Sequence, residues 1–240
     1  AIANALAGKG LKVVGVPKTI DNDLEETAVT FGFDSAVTFA TECIDRLHTT
    51  AEAHNRLMVV EVMGRYAGWI ALHAGLAGSA DAILIPEIPY DLTKVAEAIG
   101  RREAAGRHFS IVVVAEGAIP AGSSVPIVED KVGQAERLGG VGHQIAASLA
   151  AMTGKETRTV VLGHLLRGGS PTTRDRILSL RFGAAAVRAI KEGCTGCMVS
   201  LDPPDVRYVP LALATRRMKT VPVDSDTVRT VRDLGVSLGD

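Results

Sequence analysis

The sequence predicts an α/β fold built on a parallel sheet with helices on both faces, and three observations carry that expectation. Short Val/Ile-rich runs recur along the chain without the alternation of a half-exposed sheet. Helical patterns separate them, the order that a right-handed parallel sheet requires. No internal repeat or low-complexity segment interrupts the series. With 240 residues the chain is long enough for one large α/β domain or two lobes.

Taken in order, the chain opens on Ala1-Ile-Ala-Asn-Ala-Leu-Ala7, an apolar helical pattern that stops at Gly8-Lys-Gly10. It has no initiating Met and no strand before its first helix, so an N-terminally incomplete chain is expected. Leu11–Val16 reads as a buried strand ending at Pro17. Asp34/Ser35 reads as the cap of a helix whose buried stripe is Ala36, Val37, Ala40, Ile44 and Leu47. Strands are then expected at Leu57–Val62, Ala82–Ile85, Ile111–Ala115 and Thr159–Leu162, with helices over Ala67–Leu76 and Leu92–Ile99. Pro120, Gly122, Ser123, Ser124 and Pro126 mark Ile119–Gln134 as the most flexible stretch.

Composition restricts the function classes. The 26 basic and 27 acidic side chains nearly cancel, which gives no electrostatic case for nucleic acid or an anionic membrane. No apolar run approaches the roughly 20 residues of a membrane helix and no signal peptide is evident, so a cytoplasmic location is expected. Three cysteines are too few for a disulfide framework. Cys194-Thr-Gly-Cys197 has no second pair or nearby His, and it reads as an ordinary turn rather than a redox or metal motif.

Ligands of open parallel sheets bind beyond the carboxyl ends of the strands. Here the strands are followed by Lys18-Thr-Ile-Asp-Asn-Asp23, by Met63-Gly-Arg65, by Pro86-Glu87, and by Gly163-His-Leu-Leu-Arg-Gly-Gly-Ser-Pro171. The expected fold directs Asp21, Asp23, Arg65, Glu87, His164 and Arg167 to one cleft. Guanidinium groups and glycine turns suit a phosphorylated ligand, and Glu87 is available for sugar hydroxyls. A carboxylate among those cations stays ionised and can take a proton from an attacking hydroxyl. That is the chemistry of phosphoryl transfer to a sugar phosphate. Taken singly, Asp21-Asn22-Asp23 is equally a turn whose side chains bond their own backbone, and Arg65, Glu87 and His164 are equally solvated surface groups.

The segments PKTIDNDL, VEVMGRYAGW, IPE and TRTVVLGHLLRGGSP resemble those of the phosphofructokinases, in the same order over nearly the whole chain. The subgroup with Lys before Thr-Ile-Asp includes actinobacterial enzymes using ATP or pyrophosphate. The resemblance implies a two-lobed, three-layer α/β/α fold. Residues 1–33 and 167–240 would be the remnant of a donor-binding lobe whose N-terminal part is absent, and residues 34–166 the fructose 6-phosphate lobe. The implied activity is the glycolytic transfer of phosphate from ATP, or alternatively pyrophosphate, to the 1-hydroxyl of fructose 6-phosphate.

By motif, Asp21 would be the base and Thr19 would shape the transfer site. Asp23 would belong to the Mg²⁺ environment, the main Mg²⁺ ligand being expected outside this sequence. Arg65 would stabilise the transferring charge. Ile20, Met63, Gly64, Glu87, His164, Leu165, Leu166 and Arg167 would line the sugar phosphate. Arg56 and Arg158 match arginines that reach the 6-phosphate from a neighbouring subunit, implying a homo-oligomer, dimer or tetramer, with shared sites. Lys18 bears on the choice of donor. Leu165-Leu166 departs from the usual Ile-Gln of the family, and the donor's glycine-rich loops are missing, so the isolated 240-residue chain is expected to be inactive. A catalytically silent sugar-phosphate-binding or truncated subunit is the alternative of another class.

Overall fold

A computed structural model describes residues 2–123 and 140–240, so most of Ile119–Gln134 lies outside the described residues. The chain divides into two compact units, residues 1–36 with 169–219 and residues 37–168 with 220–240.

The first unit begins with α1 (Ile2–Gly8), β1 (Val14–Gly15), β2 (Lys18–Thr19) and β3 (Phe31–Gly32), and the helix α2 (Phe33–Ala53) starts in it. The second unit contains β4 (Leu57–Val62), α3 (Trp69–Ala77), β5 (Ala82–Leu84), α4 (Leu92–Ala104), β6 (Ser110–Ala115), α5 (Val141–Thr153) and β7 (Thr157–Val161). The chain returns to the first unit with α6 (Thr173–Lys191), β8 (Cys197–Asp202), β9 (Asp205–Pro210) and α7 (Leu211–Ala214), and it closes with α8 (Asp226–Asp233) in the second.

The second unit is built on a parallel sheet of order β5-β6-β4-β7. Every residue of β4, β5 and β6 is buried, which explains why these strands read as continuous apolar runs. Leu57, Val59, Leu84, Val112 and Val114 pack against Val95, Ile99, Ile145 and Leu149 from α4 and α5. Glu61 is the exception inside β4, and its Oε2 accepts the Gly142 N–H at 2.8 Å where α5 begins. Because all four strands are parallel, their carboxyl ends form one edge of the sheet and their amino ends the other.

Three expectations need correction. Leu11–Val16 yields only the two-residue β1, paired in parallel with Cys197-Met198 of β8, while Leu11 and Val16 are exposed. Pro17 has no N–H with which to extend the ladder. Asp34 and Ser35 do not cap their own helix, which starts at Phe33. They bind the start of α6 instead: Asp34 Oδ2 accepts from Thr172 Oγ1 at 2.6 Å, and Ser35 donates through both N–H and Oγ to Asp175 at 2.8 and 2.6 Å. The tail 220–240, expected with the first unit, belongs to the second. Ser237 extends the β5 edge, its carbonyl accepting the Ile83 N–H and its N–H reaching the Asp81 carbonyl.

Candidate active site

In the first unit, Lys18-Thr19 pairs with Phe31-Gly32 and presents a tightly held loop. Thr19 Oγ1 accepts the Asp21 N–H and donates to Asp21 Oδ2, each at 3.1 Å, so a single hydroxyl fixes both the backbone and the carboxylate of Asp21. Asn22 follows in the left-handed region with φ 54°, a conformation that asparagine tolerates, and its side chain is buried. Its Oδ1 accepts the Thr30 N–H and Lys219 Nζ, both at 3.1 Å.

Lys219 is a residue that the motif reading missed. Its ammonium also donates to the carbonyls of Thr27 at 2.9 Å and Ala28 at 3.2 Å, and its N–H reaches the Asp23 carbonyl at 2.8 Å. Burial pushes its pKa down to about 8 against the opposing charges of Glu25 and Asp23. Burial, followed by the charge of Asp21, raises the Asp23 carboxyl above the usual carboxylate range. Lys18 is exposed and Ile20 is half-buried.

In the second unit, the carboxyl edge of the sheet gathers Met63-Gly64-Arg65 after β4, Glu87 after β5 and the Gly163–Arg167 turn after β7. Gly64 has φ 147°, and a Cβ there would stand 2.9 Å from the Ala67 carbonyl oxygen, so this turn requires glycine. A Cβ on Gly117 would fall 1.9 Å from the Arg65 carbonyl oxygen, so the backbone carrying Arg65 rests directly on the chain leaving β6. The Arg65 guanidinium lies 5.1 Å from the Tyr66 ring centroid, and its Nε is buried with no hydrogen-bond partner. His164, Leu165 and Arg167 are exposed, whereas the Leu166 side chain is buried and anchors the turn.

Glu87 has a different environment from the one its position suggested. Gly68 N–H lies 3.0 and 3.1 Å from its two oxygens, and Val221 N–H donates to Oε1 at 2.8 Å. Burial raises its pKa, which those backbone donors oppose. Glu87 therefore ties the start of α3 and the returning tail to the end of β5. Glu116, overlooked in the motif reading, follows β6 at the same edge and is half-buried; its own N–H bonds the Val62 carbonyl. A charged residue directly after a fully buried strand was the available signal.

Arg56 and Arg158 lie at the opposite edge, at the amino ends of β4 and β7. Both bind Glu156 Oε1, Arg56 at 3.0 Å, and the Arg56 contact leads the causes that hold the Glu156 carboxyl below the usual range. The Arg56 Nε is buried and unpartnered. Among the described residues no cluster of three or more His, Cys, Asp or Glu side chains could hold a metal ion, and no helix is long and apolar enough to cross a membrane.

A profile of the phosphofructokinase family matches residues 1–190. The chain is 56% identical over 239 residues to the ATP-dependent 6-phosphofructokinase of Chloroflexus aggregans, covering 100% of this chain and 66% of that protein. It is 55% identical over 224 residues to the pyrophosphate–fructose 6-phosphate 1-phosphotransferase of Amycolatopsis methanolica, covering 92% of this chain and 65% of that one. The phosphofructokinase structure from Saccharomyces cerevisiae superposes with TM-score 0.74 at 34% identity, over 86% of this chain and 26% of that chain. A pyrophosphate-dependent phosphofructokinase from Nitrosospira multiformis shares the fold, with TM-score 0.80 at 23% identity over 100% of this chain and 64% of that chain. The chain thus spans about 66% of the length of the curated relatives first matched. With the profile running through both the Thr19–Asp23 loop and the Arg65 edge, the chain belongs to the phosphofructokinase family.

Proposed function

We propose that the protein transfers a phosphoryl group from ATP to the 1-hydroxyl of fructose 6-phosphate, giving fructose 1,6-bisphosphate. The observation that carries this reading is Asp21, held by Thr19 Oγ1 in a loop that can keep a carboxylate oriented toward an acceptor hydroxyl. Asp21 takes the proton of the 1-hydroxyl as its oxygen attacks the terminal phosphorus. The bond from phosphorus to the bridging oxygen breaks, and ADP leaves with the electron pair. Arg65, whose Nε lacks a partner, offsets charge on the transferring group. Met63, Gly64, His164, Leu165, Leu166 and Arg167 form the sugar-phosphate side, Leu166 through its backbone. Residues 1–36 with 169–219 serve the donor, and residues 37–168 with 220–240 the acceptor.

Mg²⁺ fits this reading only as part of a metal–phosphate complex. Asp21 and Asp23 form a pair of close carboxylates, with Asp23 raised partly by its neighbour, and Mg²⁺ is commonly held by one or two carboxylates together with substrate phosphates. Asp23 is the residue that would approach it, and the ion would neutralise donor charge there.

Pyrophosphate is the second donor reading. Lys18 is exposed beside the loop and offers an ammonium to a compact anion, and a pyrophosphate-dependent relative is nearly as similar as the ATP-dependent ones.

The assembly is proposed as a homo-oligomer. β4 alone spans roughly 20 Å, so Arg56 and Arg158 stand too far from Arg65 for one small ligand within a subunit. They would instead hold the 6-phosphate bound to a neighbour.

The test uses a polypeptide of the relatives' full length, with fructose 1,6-bisphosphate measured from either donor. Asp21→Asn should lower kcat by about 10²–10⁴-fold with a much smaller change in acceptor KM. Product from neither donor would overturn the activity, and near wild-type turnover by the variant would remove Asp21 as the base.

A further inference from the structure

Cys194-Thr195-Gly196-Cys197 links the end of α6 to the start of β8, where motif spacing alone pointed to an ordinary turn. The two sulfurs lie 3.4 Å apart. Their separation is fixed by the backbone. Cys194 N–H bonds the Ala189 carbonyl at 2.8 Å, Gly196 N–H bonds the Val13 carbonyl at 2.7 Å, and the Gly196 carbonyl accepts the Leu211 N–H at 3.0 Å. Gly193 and Gly196 adopt φ 72° and 73°, which lets the chain reverse on both sides of Cys194. The sulfurs need approach by only about 1.4 Å to reach bonding distance. The third cysteine, Cys43, lies on α2.

From this geometry we propose that Cys194 and Cys197 are a reversible dithiol–disulfide pair that low-molecular-weight disulfides oxidise. Cys194 is half-buried and Cys197 is buried, so the incoming disulfide meets Cys194 first. The Cys194 thiol loses its proton to solvent and its sulfur attacks, forming a mixed disulfide and expelling one thiolate. Cys197 then loses its proton and attacks Cys194 Sγ, expelling the second thiolate. Two thiols are oxidised by two electrons, and one small disulfide is reduced to two thiols.

The second step is intrinsically slow, because the attacking species is the thiolate. Burial, followed by the hydrogen bond with Cys194, raises the Cys197 thiol to about 11. Permanent proximity compensates, since no chain closure has to precede the attack. The pair follows a helix and opens a strand, the reverse of an arrangement in which a helix N-terminus activates the thiol. Its role is therefore a slow, reversible staple at the α6–β8 junction, with oxidation accelerating about tenfold per pH unit below the Cys197 pKa.

The experiment exposes the reduced 240-residue chain to oxidised glutathione over a range of mildly alkaline pH, followed by alkylation, intact mass and peptide mapping. The expected product has lost two hydrogens, links Cys194 to Cys197, leaves Cys43 alkylated and reverts with dithiothreitol. Cys197→Ser should instead accumulate a glutathione adduct at Cys194, and an unchanged melting curve would confirm that this variant is folded. A persistent glutathione adduct in the wild-type chain, or full alkylation of both thiols after prolonged exposure, would overturn the proposal. The wild-type result decides it even where the variant does not fold.

Discussion

Replacing Lys219 by methionine keeps most of the side-chain volume and removes the ammonium from among Asn22 Oδ1 and the carbonyls of Thr27 and Ala28. Two effects oppose each other at neutral pH. Three donated hydrogen bonds are lost, each contributing about 1 kcal/mol or more. Relief comes from no longer holding a charge in a site that lowers its pKa from 10.5 to about 8, a difference that corresponds to about 3.4 kcal/mol. The near cancellation makes one stability value uninformative, whereas the pH dependence is diagnostic. The folded pKa lies below the unfolded one, so between about pH 8 and pH 10.5 the unfolded chain binds more protons at this site. Wild-type stability should therefore rise relative to Lys219→Met by about 1.4 kcal/mol per pH unit in that window, approaching a total of about 3 kcal/mol. Urea unfolding of both proteins from about pH 7 to about pH 10 measures the difference, with groups common to both cancelling. A difference that stays flat across the window would show that the Lys219 charge is not held against burial.

Glu87→Gln should lower the melting temperature more than it changes acceptor KM, because the carboxylate serves the N–H groups of Gly68 and Val221; loss of about 1–3 kcal/mol in urea unfolding with near-normal acceptor KM is the expected pattern. A raised KM at unchanged stability would return Glu87 to the sugar. Refolding full-length Asp21→Asn subunits together with full-length Arg56→Ala subunits should recover turnover at limiting fructose 6-phosphate, since some interfaces then combine an intact base with an intact arginine; no recovery after mass-verified exchange would place Arg56 outside any shared site.

The second unit's sheet was legible in the sequence because β4, β5 and β6 are buried on both faces, so sequence apolarity and structural position coincide. Leu11–Val16 has similar composition but packs only in part, and composition cannot report how many neighbours a strand acquires. The Thr19–Asp21 turn was legible because its hydrogen bonds are local. Lys219 was not, since its Asn22 contact spans 197 positions. Asp34 and Ser35 carried the right residue types for a cap and found their partners at Thr172 and Asp175 instead. Glu87 and Glu116 present the same local signal, a carboxylate after a buried strand, and nothing in that signal shows that the Gly68 and Val221 N–H groups engage Glu87. For the cysteine pair, spacing pointed to an ordinary turn, and the 3.4 Å between the sulfurs is what supports the dithiol proposal.

The first unit joins Ala1–Ala36 to Gly169–Lys219, and β1 has its partner in β8. Such contacts have a large loop-closure entropy, whereas most of the second unit, Val37–Gly168, lies in one stretch of chain. During synthesis the loop bearing Asp21 leaves the ribosome before its anchor at Lys219 exists, and at about 5–20 residues per second it waits roughly 10–40 s for that anchor. The central unit can collapse during this interval. The segment carrying the proposed base thus depends for its shape on a residue made 197 positions later, and a nascent chain halted after β7 but before Lys219 holds the strands of the second unit's sheet while the loop bearing Asp21 is still without its anchor.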